Sequence, residues 1–156
     1  MDKLRRTLLK GAGAGSALAA ALAAGVLQPA QALAAGADQA AFAAKDLGGA
    51  LKGLNVTATA ESRDLLMRAP DIAENGAVVP VDVISNIPNT TSISILVDKN
   101  PFPLSAHFDF SNGAQPDLSV RLKLAKTSIV KVVAKADGKF YSVQKEVKVT
   151  AGGCGG

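Results

Sequence analysis

The residue best equipped for chemistry is Cys154. It is the one thiol in 156 residues and lies in the run Gly152-Gly153-Cys154-Gly155-Gly156, two residues from the end of the sequence. A thiolate is a nucleophile and can hold a substrate covalently. Glycine has no side chain, so a thiol flanked by glycines sits on a thin segment with wide backbone freedom. From Thr150 to Cys154 such a chain extends about 13–14 Å at 3.3–3.6 Å per residue. A thiol on that tether can enter a narrow channel in another protein. No basic residue stands within four positions of Cys154. Nothing local therefore pulls its pKa below the ordinary value of about 8.5. The positive charge that activates such a thiol must come from a partner.

No second constellation competes with it. His107 stands beside Asp109, and strand alternation predicts that both face solvent. The acids are scattered, without the convergent pair that general acid–base chemistry needs. There is no glycine-rich phosphate loop and no nucleophile elbow. Lys123, Lys126, Lys131 and Lys135 read as the wet face of strands. One Cys and one His exclude an internal disulfide and a four-ligand structural zinc site. With no Trp and 4% aromatic residues, a stacking platform for single-stranded nucleic acid is excluded as well. No catalytic residue, metal ligand or cofactor is expected.

The net charge of +4 is unevenly placed. Residues 1–34 carry Lys3, Arg5, Arg6 and Lys10 against Asp2, a net +3. Residues 35–156 carry 13 basic against 12 acidic residues, a net +1. The body is nearly neutral, which removes most of the support for a nucleic-acid partner.

The basic start belongs to an export signal. It precedes an apolar stretch from Gly11 to Leu27, then Pro29 and two A-x-A sites ending at Ala32 and Ala34. The stretch is mostly Ala and Gly, too weakly apolar for a permanent span, so no membrane anchor is expected after processing. Arg5-Arg6-Thr7-Leu8-Leu9-Lys10 resembles the twin-arginine signature, whose route exports folded proteins. Leu4 and Leu8 depart from the usual pattern. The alternative is an ordinary secretory signal; either gives an exported, periplasmic protein. In that oxidising compartment a spare thiol is a liability. Cys154 is therefore expected to serve a purpose, as a carrier or in an intermolecular disulfide.

What positions the tail is a β-rich body. Ala-rich residues from about Asp38 to Leu47 predict a helix stopped by Gly48-Gly49, with Phe42 packed on the sheet or on a partner. From Arg63 onward the apolar period is two. Val79, Val81 and Val83 share a face, and Pro80 among them marks an edge or bulge. Ile93, Ile95 and Val97 share another. Leu104, Ala106, Phe108 and Phe110 are expected on one face, as are Leu118, Val120, Leu122 and Leu124. Val130, Val132 and Ala134 follow, then Tyr141, Val143, Val147 and Val149 with Lys145 interrupting. Asp137-Gly138 is a two-residue hairpin signal. The expected fold is all-β: an immunoglobulin-like antiparallel sandwich of about seven strands with a short N-terminal helix. The expected organisation is a cleaved signal over 1–34, helix plus sandwich over 35–150, and a mobile arm over 151–156.

Four stretches resemble the SoxY family, the sulfur-carrier subunits of the periplasmic thiosulfate-oxidising Sox system. They are the twin-arginine leader, Pro70-Asp71-Ile72-Ala73-Glu74-Asn75-Gly76-Ala77-Val78-Val79-Pro80-Val81, the turn Val97-Asp98-Lys99-Asn100-Pro101, and Val147-Lys148-Val149-Thr150-Ala151-Gly152-Gly153-Cys154-Gly155-Gly156. The resemblance implies a non-catalytic sandwich paired with a second sandwich subunit, SoxZ. It implies that Cys154 is the covalent attachment point, on an arm thinned by Gly152, Gly153, Gly155 and Gly156. It also implies a c-type cytochrome conjugating enzyme (SoxAX), a thiosulfohydrolase (SoxB) and, where present, a molybdenum-haem sulfane dehydrogenase (SoxCD) as successive partners. The alternative is an exported structural sandwich subunit linked by a disulfide through Cys154.

Overall fold

In the computed structural model residues 39–151 are described. The signal residues Arg5 and Arg6 and the arm residues Gly152, Gly153, Cys154, Gly155 and Gly156 lie outside them. Helical residues 39–43 are followed by α1 (Leu47–Gly53). The strands are β1 (Ala60–Glu61), β2 (Leu65–Arg68), β3 (Ile72–Ala73), β4 (Val79–Ser85), β5 (Thr90–Val97), β6 (Leu104–Asp109), β7 (Asp117–Leu122), β8 (Ser128–Ala136) and β9 (Lys139–Val149). The larger sheet runs β1-β9-β8-β5-β6, with β3 also on β9; the smaller runs β2-β4-β7.

Alternation builds the core between these sheets. Val79, Val81 and Val83 of β4, Ile93, Ile95 and Val97 of β5, and Val130, Val132 and Ala134 of β8 are all fully buried in one cluster. Each such Val or Ile contributes roughly 1.5–3 kcal/mol relative to an exposed position. The hairpin at Asp137-Gly138 is as expected, with φ of 48° and 72°, the left-handed pair that a type I′ turn demands. β4 is the central strand of its sheet, yet Pro80 is tolerated. β2 pairs with β4 only from Ser85 to Asp82, so Pro80 has a neighbour on β7 alone and is locally at an edge.

Several expectations need correction. The sandwich has the expected seven or so strands in β2 and β4 to β9, and adds two that the sequence does not show: β1 and β3, two residues each, run parallel to β9 in an otherwise antiparallel fold. Leu104 does not share a face with Ala106. Ile95 pairs with Ala106 and Leu96 with Leu104, so Ser105 is an extra residue, a bulge that turns Leu104 to the opposite face. There it joins Leu96, Val133, Ala41 and Ala50 in a second cluster, where the N-terminal helices cover the larger sheet.

Gly48-Gly49 does not stop a helix; it lies in the first turn of one. Asp46 is the N-cap, its carboxylate accepting the Gly49 N–H at 2.8 Å. A Cβ at either glycine would stand 3.3 Å from that carboxylate. α1 ends in a Schellman motif. Asn55 takes φ 57°, its N–H donating to Lys52 O while Val56 N–H donates to Leu51 O at 2.9 Å. Phe42 is 41% exposed, while Ala41 and Ala50 are fully buried. Small residues let the two helical segments approach: a Cβ on Gly53 would fall 2.6 Å from the Ala41 Cα. Gly53→Val should therefore destabilise the domain by about 1–3 kcal/mol through overpacking, read as a lowered urea midpoint with unchanged m-value.

Candidate functional site

The described chain leads to the root of the glycine run through β9. Along one edge β9 pairs with β8 from Lys139 to Val147. Along the other it meets β1 at Tyr141 and Ser142 and β3 at Lys148 and Val149. The stretch between is spanned by Lys145. Its stem lies on the core-facing side of β9, where the sequence shows an interruption. Its amine escapes to the rim, donating to Ala69 O at 2.6 Å and pairing with the Asp71 carboxylate at 2.9 Å. A long stem buried with a charge at the surface is the usual accommodation for lysine. This fastens the segment where the chain passes from β2 in one sheet to β3 in the other.

The anchoring continues past the last strand residue. Thr150 N–H donates to Ala73 O at 3.1 Å, and Thr150 Oγ1–H to Glu74 O at 3.0 Å. Val149 N–H donates to Thr127 Oγ1 at 3.0 Å. Ala151 O accepts from the Gly76 N–H at 2.7 Å, and Gly76 O accepts from Leu124 N–H at 2.7 Å. Gly76 is itself buried. Asn100 braces the far side, donating to Lys123 O at 2.7 Å and accepting from Ala125 N–H at 3.0 Å. Asp98 accepts from Ile129 N–H at 2.8 Å. The segments 70–81, 97–101 and 147–151, far apart in sequence, thus form one hydrogen-bonded base at one end of the sandwich. The hydrogen bonds of the described residues reach as far as Ala151, the first residue of the arm expected from the sequence. From Ala151, three residues reach Cys154, at most about 10–11 Å.

His107 is not solvent-facing. Its side chain is 12% exposed, with Nδ1 2.8 Å from Ser94 Oγ and Nε2 3.5 Å from Asp109. The three side chains follow the order of a hydrolase triad, but the site cannot act as one. Ser94 is 4% exposed, which leaves no room for a substrate carbonyl at Oγ, and the Asp109 side chain is 74% exposed. The arrangement braces β6 against β5. Of the four lysines read as the wet face of strands, only two lie on a strand. Lys131 and Lys135 lie on β8, with Lys135 Nζ 5.8 Å from the Phe140 ring centroid, whereas Lys123 and Lys126 lie in the link after β7. Among the described residues no three His, Asp or Glu side chains are grouped to hold a metal ion.

The family model of the sulfur oxidation protein SoxY matches residues 52–154, ending on Cys154. The chain belongs to the SoxY family. The sulfur carrier protein SoxY from Chlorobium limicola f thiosulfatophilum is 42% identical to it, with a TM-score of 0.62, over 70% of this chain and 96% of that one. The SoxY sandwich has a more distant likeness in the superoxide reductase (neelaredoxin) of Ignicoccus hospitalis. That protein is 24% identical with a TM-score of 0.50, over 58% of this chain and 82% of that one, a likeness of fold alone. No curated protein matches the chain.

The hydrogen-bonded base makes a prediction of its own. Asn100→Ala removes two bonds that hold the 123–125 segment, at about 1–2 kcal/mol. Amide exchange at Gly76, Leu124 and Thr150 should speed up in this variant, while amides in the centre of β8 should keep their wild-type rates. Uniform acceleration throughout the domain would mean that the base is not a separate unit.

Proposed function

We propose that this chain is a covalent sulfur carrier in thiosulfate oxidation, with Cys154 as the attachment point. The reading is supported by one observation above others. The family match ends on Cys154, and the last backbone bond among the described residues, at Ala151, stands three residues before it. The thiol is thus delivered from a rigid base on a short, side-chain-free lead.

The chemistry divides between carrier and partners. The Cys154 thiolate and thiosulfate join through a new S–S bond, giving Cys–S–S–SO3⁻ and two electrons, which pass to a c-type cytochrome conjugating enzyme. A thiosulfohydrolase then adds water to the terminal sulfone. Sulfate and two protons leave, and Cys–S–S⁻ remains. A molybdenum-haem sulfane dehydrogenase, where present, oxidises that outer sulfur. The carrier supplies attachment and reach, and each enzyme supplies the positive charge that activates the thiolate or holds the anion. A SoxZ-like sandwich subunit pairs with the carrier body. Export by the twin-arginine route brings the folded pair to the periplasm.

Cys154→Ser should abolish thiosulfate-dependent cytochrome reduction in a reconstituted system and leave the thermal midpoint unchanged. Mass spectrometry of the C-terminal peptide without reductant should find sulfane or thiosulfonate additions on Cys154. Normal turnover by the serine variant, or only a permanent disulfide-linked dimer, would overturn the carrier reading. Arg5→Lys with Arg6→Lys should trap the precursor in the cytoplasm, because the export receptor reads the guanidinium pair. Processed protein in the periplasm of that strain would point to the general secretory route.

A further inference from the structure

The distribution of exposed apolar side chains singles out the same end of the molecule. Among the described residues the three most exposed large hydrophobic side chains are Ile72 (58%), Val78 (54%) and Phe102 (52%). All three lie on the segments of the hydrogen-bonded base that hold Thr150 and Ala151. Ile72 belongs to β3, in register with Lys148 of β9. Val78 follows Gly76, whose N–H holds Ala151 O. Phe102 follows Asn100, whose side chain bridges Lys123 and Ala125 on either side of Leu124, and Leu124 N–H in turn holds Gly76 O. None of the three contributes to either apolar cluster of the domain. Exposed apolar groups gathered at one place mark an interaction site.

The length of the lead says what sits there. Three residues from Ala151 to Cys154 span at most about 10–11 Å, and every ångström of channel depth in a receiving protein is taken from that span. An enzyme that brings Cys154 to a buried reacting centre must therefore press its channel mouth against the rim around Ala151. We infer that Ile72, Val78 and Phe102 form the docking seat for the enzymes that receive the arm, whose channel mouths present a complementary apolar rim. The inference rests on the carrier reading and adds to it where the enzymes land.

The test uses the full mature carrier with its sandwich partner and the c-type cytochrome conjugating enzyme. Ile72→Ser, Val78→Ser and Phe102→Ser should each leave the urea midpoint unchanged, since the side chains are exposed. Combined, they should raise the KM for the carrier about tenfold or more, the scale of losing a few contact side chains, with kcat unaltered. Labelling of Cys154 by a small maleimide should proceed at the wild-type rate. The Cys154→Ser carrier should inhibit competitively, and adding the three serine substitutions should weaken that inhibition by the same factor. An unchanged KM, with Cys154→Ser inactive, would overturn the docking seat and leave the carrier role standing. Loss of association with the sandwich subunit in the triple variant would overturn it too, by making this rim the subunit interface. Turnover by Cys154→Ser would instead remove the carrier reading itself.

Discussion

Satisfying both edges of β9 is the constraint on which the rest depends. An eleven-residue strand that ends at the sheet's margin presents a row of backbone donors and acceptors, and each unpaired buried one is costly. β8 satisfies one edge. The other is shared between β1 and β3, with Lys148 N–H donating to Asp71 O where β3 begins. The parallel pairing of β3 exists because the chain crosses from one sheet to the other at Ala69-Pro70-Asp71 and must run beside β9 afterwards. That crossing brings Gly76 to Ala151. The site is thus the end product of closing one sheet edge.

Local pattern was enough wherever local forces decide. Val79, Val81 and Val83 face the core because a strand has a period of two, and Asp137-Gly138 turns because both positions accept positive φ. Pattern failed where a tertiary neighbour intervened. Ser105 bulges because Leu104 is drawn under the N-terminal helices with Leu96. His107 is sheltered by Ser94 on the adjacent strand, although alternation alone assigns it to water. Gly48-Gly49 looks like a helix stop until the Asp46 cap is seen folding back over it. Lys145 looks like a flaw in an apolar face until its amine is followed to Asp71.

The candidate site shows the same division. The thiol and its glycines are readable as chemistry in the sequence, since composition and spacing alone set them apart. The base that carries them is not, because its bonds join residues some seventy-five positions apart, such as Thr150 to Glu74 and Ala151 to Gly76. No periodicity encodes a contact between a loop and the end of a distant strand. The three stretches of the body that carry the family resemblance are the ones that meet there.

A fixed Ala151 also has a kinetic consequence. On the carrier reading proposed above, a seated partner would meet a thiol confined to a small volume above a known point. Its effective concentration at the channel mouth then far exceeds any it could reach in bulk solution. On that reading capture of the thiol would not be the slow event; arrival and departure of whole proteins would be. A carrier that visits several enzymes in turn gains nothing from long residence on any of them. The proposed contact, three side chains on β3 and two neighbouring loops, would fall at the small, transient end of protein interfaces. The rigidity of the root allows that contact to be weak, because the tether supplies by confinement what a tight interface would supply by affinity.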